Sequence, residues 1–357
     1  MRVLSLFDGI SCGRVALLRA KIAVNAYFAS EIDKYAIKIS EKNYPDIVRL
    51  GDIRKIDFSQ FIGKIDLIIG GSPCQDLSIA KQNRQGLNGE RSGLFWKFVE
   101  AIQTIKPKYF LLENVASMSK ENLEIISKAL GVEPVLINSS LVSAQQRKRL
   151  YWCNWEVSQP DDKHIYLKDI LETGLPYTDK SYCLTSNYNG AYFSHGIITK
   201  QRSMVAEPIS CALRTRGENK HLEVRKDEKA NAMTSATTDS MICNPILVGS
   251  SGKPCQGNRV YSVRGKSVCL SANGGGKGAK TGLYKIDLPD GDYYVRKLTP
   301  LECERLQTLP DGYTEGVSNT QRYKAIGNGW TVDVIAHIFK ALKRKMEGTD
   351  ENRAFTI

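Results

Sequence analysis

The sequence lacks the marks of several common protein classes. None of its apolar runs approaches the roughly 20 residues that span a bilayer, so a membrane-crossing helix is excluded. The apolar run before Asp8 is too short for a signal peptide. The nine cysteines are an odd number and no two stand as C-x-x-C, so neither a disulfide framework nor a zinc site is indicated. The four histidines, His164, His195, His221 and His337, are not at metal-ligand spacing from one another or from a cysteine. The G-x-G-x-x-G of dinucleotide folds is missing too, which disfavours a nicotinamide oxidoreductase. These absences predict a soluble protein of a reducing, cytoplasmic compartment, with no membrane partner and no metal. Acidic residues are also in deficit, 38 against 50 Lys and Arg, and the net charge of +12 is spread along the chain. A polyanionic partner such as nucleic acid fits that balance, and so does solubility alone.

What is present divides the chain by texture. Up to residue 157, short β-branched or aromatic runs ("VLSLF", "VNAYFASEI", "DLIIGG", "KYFLLENV", "EPVLINSSLV", "RLYWCNWEV") alternate with helical patterns near 12–20, 34–43, 92–105 and 120–131. This alternation predicts a doubly wound, mostly parallel α/β sheet. From 158 to 295 the chain turns to Gly, Ser, Thr and Asn with scattered Lys and Arg. Four loosely similar units, "KSYCLTSNYNGA", "PISCALRTRGENK", "ANAMTSATTDSM" and "KSVCLSANGGGKGAKTG", suggest hairpins in a smaller β-rich domain. Helical patterning returns over 296–345, with Thr299 as a candidate cap and a last helix to about Met346, and 346–357 reads as a tail.

The candidate chemistry lies at strand ends. In "LFDGISCG" a strand gives way through Gly9 to a helix, which puts backbone N–H groups and the Phe7 ring at one sheet edge. Glu31 ends the second strand, where a carboxylate can hold ribose hydroxyls, and Asp52 follows the third, where it can receive an adenine amino group. A helix cap is the commoner use of each acid. Cys74 in "GGSPCQDLS" ends another strand behind Pro73, on the edge where open α/β proteins bind ligands. A thiol there becomes a nucleophile only as thiolate, which needs nearby positive charge and an acid to activate its target. "LLENV" offers Glu113, and "QQRKRLY" offers Arg147 and Arg149, whose i, i+2 spacing points both to one side of a strand.

In this order the motifs "LFDGISCG", Glu31, Asp52, "GGSPCQDLS", "LLENV", "QQRKRLY", "RKLTPLECERLQTLPDGYT" and "IGNGWTV" resemble those of the cytosine-C5 DNA methyltransferases, over 1–157 and 296–345. The resemblance implies a Rossmann-like methyltransferase core holding S-adenosyl-L-methionine, with S-adenosyl-L-homocysteine as product. It places Phe7, Asp8, Gly9, Ile10, Ser11, Glu31, Ile32, Asp52, Ile53, Gly71, Pro73, Asn328 and Trp330 about that cofactor. It makes Cys74 the nucleophile on C6 of a flipped-out cytosine, Glu113 the partner of N3 and the amino group, and Arg147 and Arg149 the residues that orient the base; Pro73 shapes the pocket wall. Ser78 and Arg91, in a loop over 75–91, would meet the DNA backbone, and 158–295 would be the target-recognition domain reading double-stranded DNA. The single compact core resembles bacterial and phage members, which implies a monomer with a cognate restriction endonuclease as a partner in the same system, while Trp330 is reminiscent of the mammalian de novo enzymes. A tRNA-methylating relative would have a shorter recognition insert, and an inactive homologue would have lost some of Cys74, Glu113, Arg147 and Arg149. The remaining cysteines read as ordinary small apolar residues.

Overall fold

The computed structural model describes residues 1–73, 94–176, 178–188, 202–209 and 292–354, with strands 211–216, 219–224, 247–250, 259–262 and 283–285 between them. The chain divides into two compact units: Met1–Tyr166 with Cys183–Asn189 and Cys303–Ile357, and Leu167–Tyr182 with Gly190–Glu302.

The first unit follows the alternation in the sequence: β1 (Arg2–Leu6), α1 (Cys12–Arg19), β2 (Ala26–Ser30), α2 (Lys34–Asn43), β3 (Val48–Gly51), β4 (Leu67–Gly71), α3 (Phe95–Ile105), β5 (Tyr109–Val115), α4 (Lys120–Leu130), β6 (Val135–Asn138) and β7 (Lys148–Cys153). The seven strands form one sheet in the order β3-β2-β1-β4-β5-β7-β6. All pairings are parallel except those of β7, which runs antiparallel to both β5 and β6. This is the doubly wound sheet that the alternation predicts and the Rossmann-like core that the resemblance implies.

Both faces of the sheet are covered, which is why its central strands read as unbroken apolar runs rather than alternating ones. One face buries Val3, Ile69 and Leu111 against α1 and against Val334, Ile338 and Phe339 of the last helix. The other buries Leu4, Leu6, Ile68 and Leu112 with Phe95 and Phe98 of α3 and with Trp152. Each such side chain contributes roughly 1.5–3 kcal/mol on full burial. Local signals set the helix ends: the Asp33 carboxylate accepts from the N–H groups of Tyr35 and Ala36 to start α2, while Ser119 starts α4 and Gly131, at φ 70°, ends it.

After the second unit the chain returns through α5 (Pro300–Leu306), α6 (Asn319–Asn328) and α7 (Val332–Ala354). The last helix thus passes Met346 and continues to Ala354, so the segment expected as a tail is helical for most of its length. A Lys343–Glu347 pair one turn apart, at 3.6 Å, spans the expected stop.

The second unit is β-rich. Strands β8 (Leu175–Pro176), β9 (Met204–Ile209) and β15 (Asp292–Lys297) make an antiparallel sheet in the order β15-β9-β8. Between them β10 (Cys211–Arg216) pairs antiparallel with β11 (Asn219–Val224), so the "PISCALRTRGENK" unit does carry a hairpin. Strands β12 (Leu247–Ser250), β13 (Arg259–Ser262) and β14 (Leu283–Lys285) form a third sheet, antiparallel then parallel. The "ANAMTSATTDSM" and "KSVCLSANGGGKGAKTG" units lie outside the described residues.

Thr299 caps α5 as expected, and the cap is reciprocal: Glu302 N–H donates to Thr299 Oγ1 at 3.1 Å and Thr299 N–H to Glu302 Oε2 at 2.8 Å. The fully buried Glu302 carboxylate also accepts from both Arg296 Nη atoms at 2.8 Å and from the Glu172 N–H at 2.9 Å. Glu302→Ala should therefore cost about 3–5 kcal/mol, because the guanidinium and two amides lose a buried partner together. Chemical denaturation would read this as a lowered midpoint, and an unchanged midpoint would contradict it.

Candidate active site

The strand order reverses between β1 and β4, so their carboxyl ends bound the crevice where open α/β sheets take ligands. At the end of β1 the backbone is left-handed at Phe7 (φ 61°), Gly9 (φ 59°) and Ser11 (φ 61°). Two of these are not glycine, a strain that persists only where surrounding bonds impose it. Here Asp8 N–H donates to Ser30 O at 3.0 Å and Gly9 N–H to Glu31 Oε2 at 2.8 Å, tying the turn to the end of β2. Glu31 Oε1 also accepts from the N–H groups of Ile32 and Asp33, each at 2.8 Å. Three of the roughly four lone-pair sites of an ionised carboxylate are thus filled by backbone, and Oε2 keeps one.

The other residues expected about a cofactor are placed unequally. Ile32 stands 67% exposed beside Glu31, an apolar side chain on the rim. Asp52 caps the single turn Ile53–Lys55 and is paired with Arg54 Nη2 at 2.6 Å; the Arg54 hydrogen bonds hold its carboxyl down at about 2. Ile10, Ser11 and Ile53 are buried beneath the edge. Asn328, exposed, is the last residue of α6. The half-buried Asp8 turns its carboxylate inward, where it accepts from Tyr27 Oη at 2.8 Å and from Ser11 Oγ.

Glu113 is brought to this edge by register: on β5 it stands opposite Gly71 of β4 on one side and Tyr151 of β7 on the other. It is 8% exposed, and each oxygen has a partner. Arg149 Nε lies 2.9 Å from Oε1, and Trp330 Nε1 donates to Oε2 at 3.1 Å. Gly71 makes this possible, since a Cβ there would lie 2.9 Å from Trp330 Nε1 and 3.0 Å from Glu113 Oε2. The next residue, Asn114, donates from Nδ2 to Ser72 Oγ at 3.0 Å and Ser72 O at 3.4 Å, fixing the chain immediately before Pro73. Cys74, Ser78 and Arg91 lie outside the described residues.

The two arginines take different partners. Arg147, buried, donates to the carbonyls of Leu184 (2.9 Å), Gly327 (3.4 Å) and Gly329 (3.1 Å), whereas Arg149 pairs with Glu113. Both reach Cys183 Sγ, at 3.5 and 3.9 Å, consistent with one shared side. Cys183 is therefore not an ordinary apolar residue: burial pushes its thiol up, and the two guanidiniums more than offset that, holding it below the usual thiol value. For Cys12 and Cys153 burial outweighs the opposing contributions, Arg147 among them for Cys12 and Lys345 for Cys153, and raises the thiols to about 12 and about 11.

Sequence reasoning missed Asn114, Cys183 and a buried pair of glutamines. Gln307 Nε2 donates to Ile326 O at 3.0 Å and Gly329 O at 3.1 Å, its Oε1 accepts from Thr331 Oγ1 at 2.7 Å, and Gln145 Oε1 accepts from Leu184 N–H at 2.9 Å. Gln145 lies within "QQRKRLY" and Gln307 within "RKLTPLECERLQTLPDGYT", so the signal available was an amide inside a quoted motif.

With this geometry in view, the C-5 cytosine-specific DNA methylase family model matches residues 1–344. The chain belongs to that family. It is accordingly a DNA (cytosine-5-)-methyltransferase. It is 27% identical to the type II methyltransferase M.HhaI of Haemophilus parahaemolyticus, covering 95% of this chain and 93% of that one. It is 28% identical to M.HpaII of Haemophilus parainfluenzae (96% and 89%) and 27% to the orphan methyltransferase M.SPRI of Bacillus phage SPR (96% and 97%). Among solved structures, the Entamoeba histolytica methyltransferase EhMeth aligns with a TM-score of 0.60 at 15% identity, covering 97% of this chain and 98% of that one. The S. pombe Dnmt2 methyltransferase aligns at 0.57 and 16%, covering 97% and 99%, and these likenesses show the shared fold. No helix among the described residues is long and apolar enough to cross a membrane.

Asp8 supplies a pH test. Burial raises its carboxyl above the usual range, reinforced by the nearby Glu31 charge and opposed by hydrogen bonds from Ser11, Ser5 and Tyr27. A carboxyl raised on folding favours the folded state when protonated, and that contribution is lost as pH rises through the folded value. Asp8→Asn should therefore raise the melting temperature near neutral pH, with the gain shrinking as pH falls and the wild-type carboxyl takes up its proton. A gain independent of pH, or a loss at neutral pH, would contradict the assignment.

Proposed function

We propose that this methyltransferase modifies a cytosine flipped out of a specific duplex DNA sequence, through a covalent bond between Cys74 and C6 of the base, with S-adenosyl-L-methionine as methyl donor. The observation that carries the reading is the pairing of the buried Glu113 with Arg149, one strand away from the segment that Asn114 fixes ahead of Pro73-Cys74. The Cys74 thiolate adds to C6, and the ring electron pair moves toward C5. Glu113 shares a proton with N3 and accepts from the amino group, so charge does not accumulate on the ring. C5 takes the methyl group; loss of the C5 proton then returns the electron pair, breaks the S–C6 bond and frees Cys74 as thiolate with 5-methylcytosine as product.

The bound cofactor supplies an electrophilic methyl group and leaves as S-adenosyl-L-homocysteine. The donor set fits it: Glu31 Oε2 keeps an acceptor site for a ribose hydroxyl, Ile32 offers an exposed apolar face for the adenine, and the Phe7 ring suits a neighbouring sulfonium. Arg147 acts here by holding the backbone of 184, 327 and 329 around Arg149 and Trp330, and Arg149 by orienting Glu113 and the base.

C6 of a stacked cytosine is out of reach of a side chain, so the base must leave the helix at a cost of a few kcal/mol. The loop 75–91, with Ser78 and Arg91, would close over the flipped base, and 158–295 would read the target sequence. The net charge of +12 supports the DNA contacts. We further propose a cytoplasmic, monomeric enzyme without a metal, of the kind that protects DNA from a cognate restriction endonuclease or serves a phage.

Bisulfite sequencing of unmethylated plasmid incubated with enzyme and S-adenosyl-L-methionine, beside a Cys74→Ala control, tests the reading. Protected cytosines in one repeated context, absent in the control, are expected. Protection that survives Cys74→Ala would overturn the covalent route, and methylation of tRNA with none on duplex DNA would overturn the substrate.

A further inference from the structure

Trp330 is separated from Glu113 by 217 residues in sequence, yet its indole N–H donates to Glu113 Oε2 at 3.1 Å. It is half-buried, and its backbone is held on both sides: Gly329 O accepts from Arg147 Nη2 and from Gln307 Nε2, each at 3.1 Å, and Thr331 Oγ1 donates to Gln307 Oε1 at 2.7 Å. Its ring lies against two glycines at the crevice. A Cβ at Gly71 would lie 2.9 Å from Nε1, and one at Gly13, in the first turn of α1, would lie 3.4 Å from Cζ3. A side chain serving only as a wall has no need to aim its one donor at a buried carboxylate. With Arg149 Nε on Oε1, the indole leaves each Glu113 oxygen with a single partner from this pair of clamping donors and with acceptor capacity to spare.

Resting on the covalent route proposed above, we infer that Trp330 is a positioning residue for Glu113: it fixes the plane of the carboxyl group, so that one oxygen holds the proton shared with N3 of the cytosine and the other accepts from its amino group. Its role in the reaction therefore precedes methyl transfer. A residue that merely lined the cofactor pocket would act only at the methyl-transfer step and on cofactor affinity.

The two roles separate in a tritium-exchange assay. Without cofactor, the Cys74–C6 adduct of a cytosine tritiated at C5 takes a solvent proton at C5, and reversal releases the tritium as the S–C6 bond breaks. The assay uses the full chain and a duplex carrying the context found by bisulfite sequencing. Trp330→Phe keeps the ring and removes the donor; loss of a hydrogen bond to a charged group should lower cofactor-free exchange and kcat alike by about tenfold to a hundredfold. Calorimetry should find the affinity for S-adenosyl-L-homocysteine within about threefold of wild type. Unchanged exchange with the loss confined to cofactor affinity or KM would overturn the inference.

A general loss of folding is excluded by a double-mutant cycle. In a Glu113→Gln background Trp330→Phe should cost much less than in wild type, and an equal cost in both backgrounds would overturn the inference. Wild-type enzyme that methylates DNA but releases no tritium without cofactor would leave Trp330 with no step before methyl transfer and so would also overturn it. Wild type inactive on every duplex would instead remove the proposed function, and this inference with it.

Discussion

One buried guanidinium holds the site together. Arg147 reaches the carbonyls of Leu184, Gly327 and Gly329 from the residue that precedes β7, so a strand of the central sheet, the segment 183–189 and the end of α6 are joined through a single side chain. Burying such a charge costs several kcal/mol unless its donors are matched, and a planar guanidinium with five N–H groups is the side chain able to match several carbonyls at once. The close approach at this junction depends on glycine as well: a Cβ at Gly327 would fall 2.3 Å from the Thr185 backbone. Trp330 and Arg149, the two donors to Glu113, both lie within two residues of these anchors, so the geometry of the carboxylate is inherited from the junction.

Much of this was legible in the sequence, and for identifiable reasons. Apolar runs buried on both sheet faces give a strong periodic signal, so six of the seven strands of the first unit and helices α1, α2, α3 and α4 fall close to where the pattern puts them, while the edge strand β3, with no fully buried residue, is in none of those runs. The capping of α5 by Thr299 was readable because both partners are local. Glu113 stands at a strand end in both readings because register follows from the runs themselves.

The rest depended on distance in the chain. Alternation along a strand puts Arg147 and Arg149 on one side but says nothing about what each meets, and one meets backbone carbonyls while the other meets a carboxylate. The Trp330–Glu113 bond and the Cys183 environment join residues far apart in sequence, so no local pattern announces them. The reversal of β7 against β5 and β6 was likewise invisible in its composition, since it is set by the short return from β6. Asp8 shows the opposite limit: a position beside a ligand crevice need not offer its side chain to a ligand, because its carboxylate was turned inward to Tyr27 and Ser11.

The proposed methyl transfer depends most directly on a covalent bond between Cys74 and the base. A duplex with 5-fluorocytosine at the modified position blocks the final loss from C5, so the adduct should persist once the methyl group has been transferred. Mass spectrometry of the denatured, digested complex should then find the modified nucleotide on the peptide that contains Cys74. Turnover of ordinary cytosine in that context, with no adduct on the fluorinated duplex or with the adduct on Cys183 instead, would contradict the central claim.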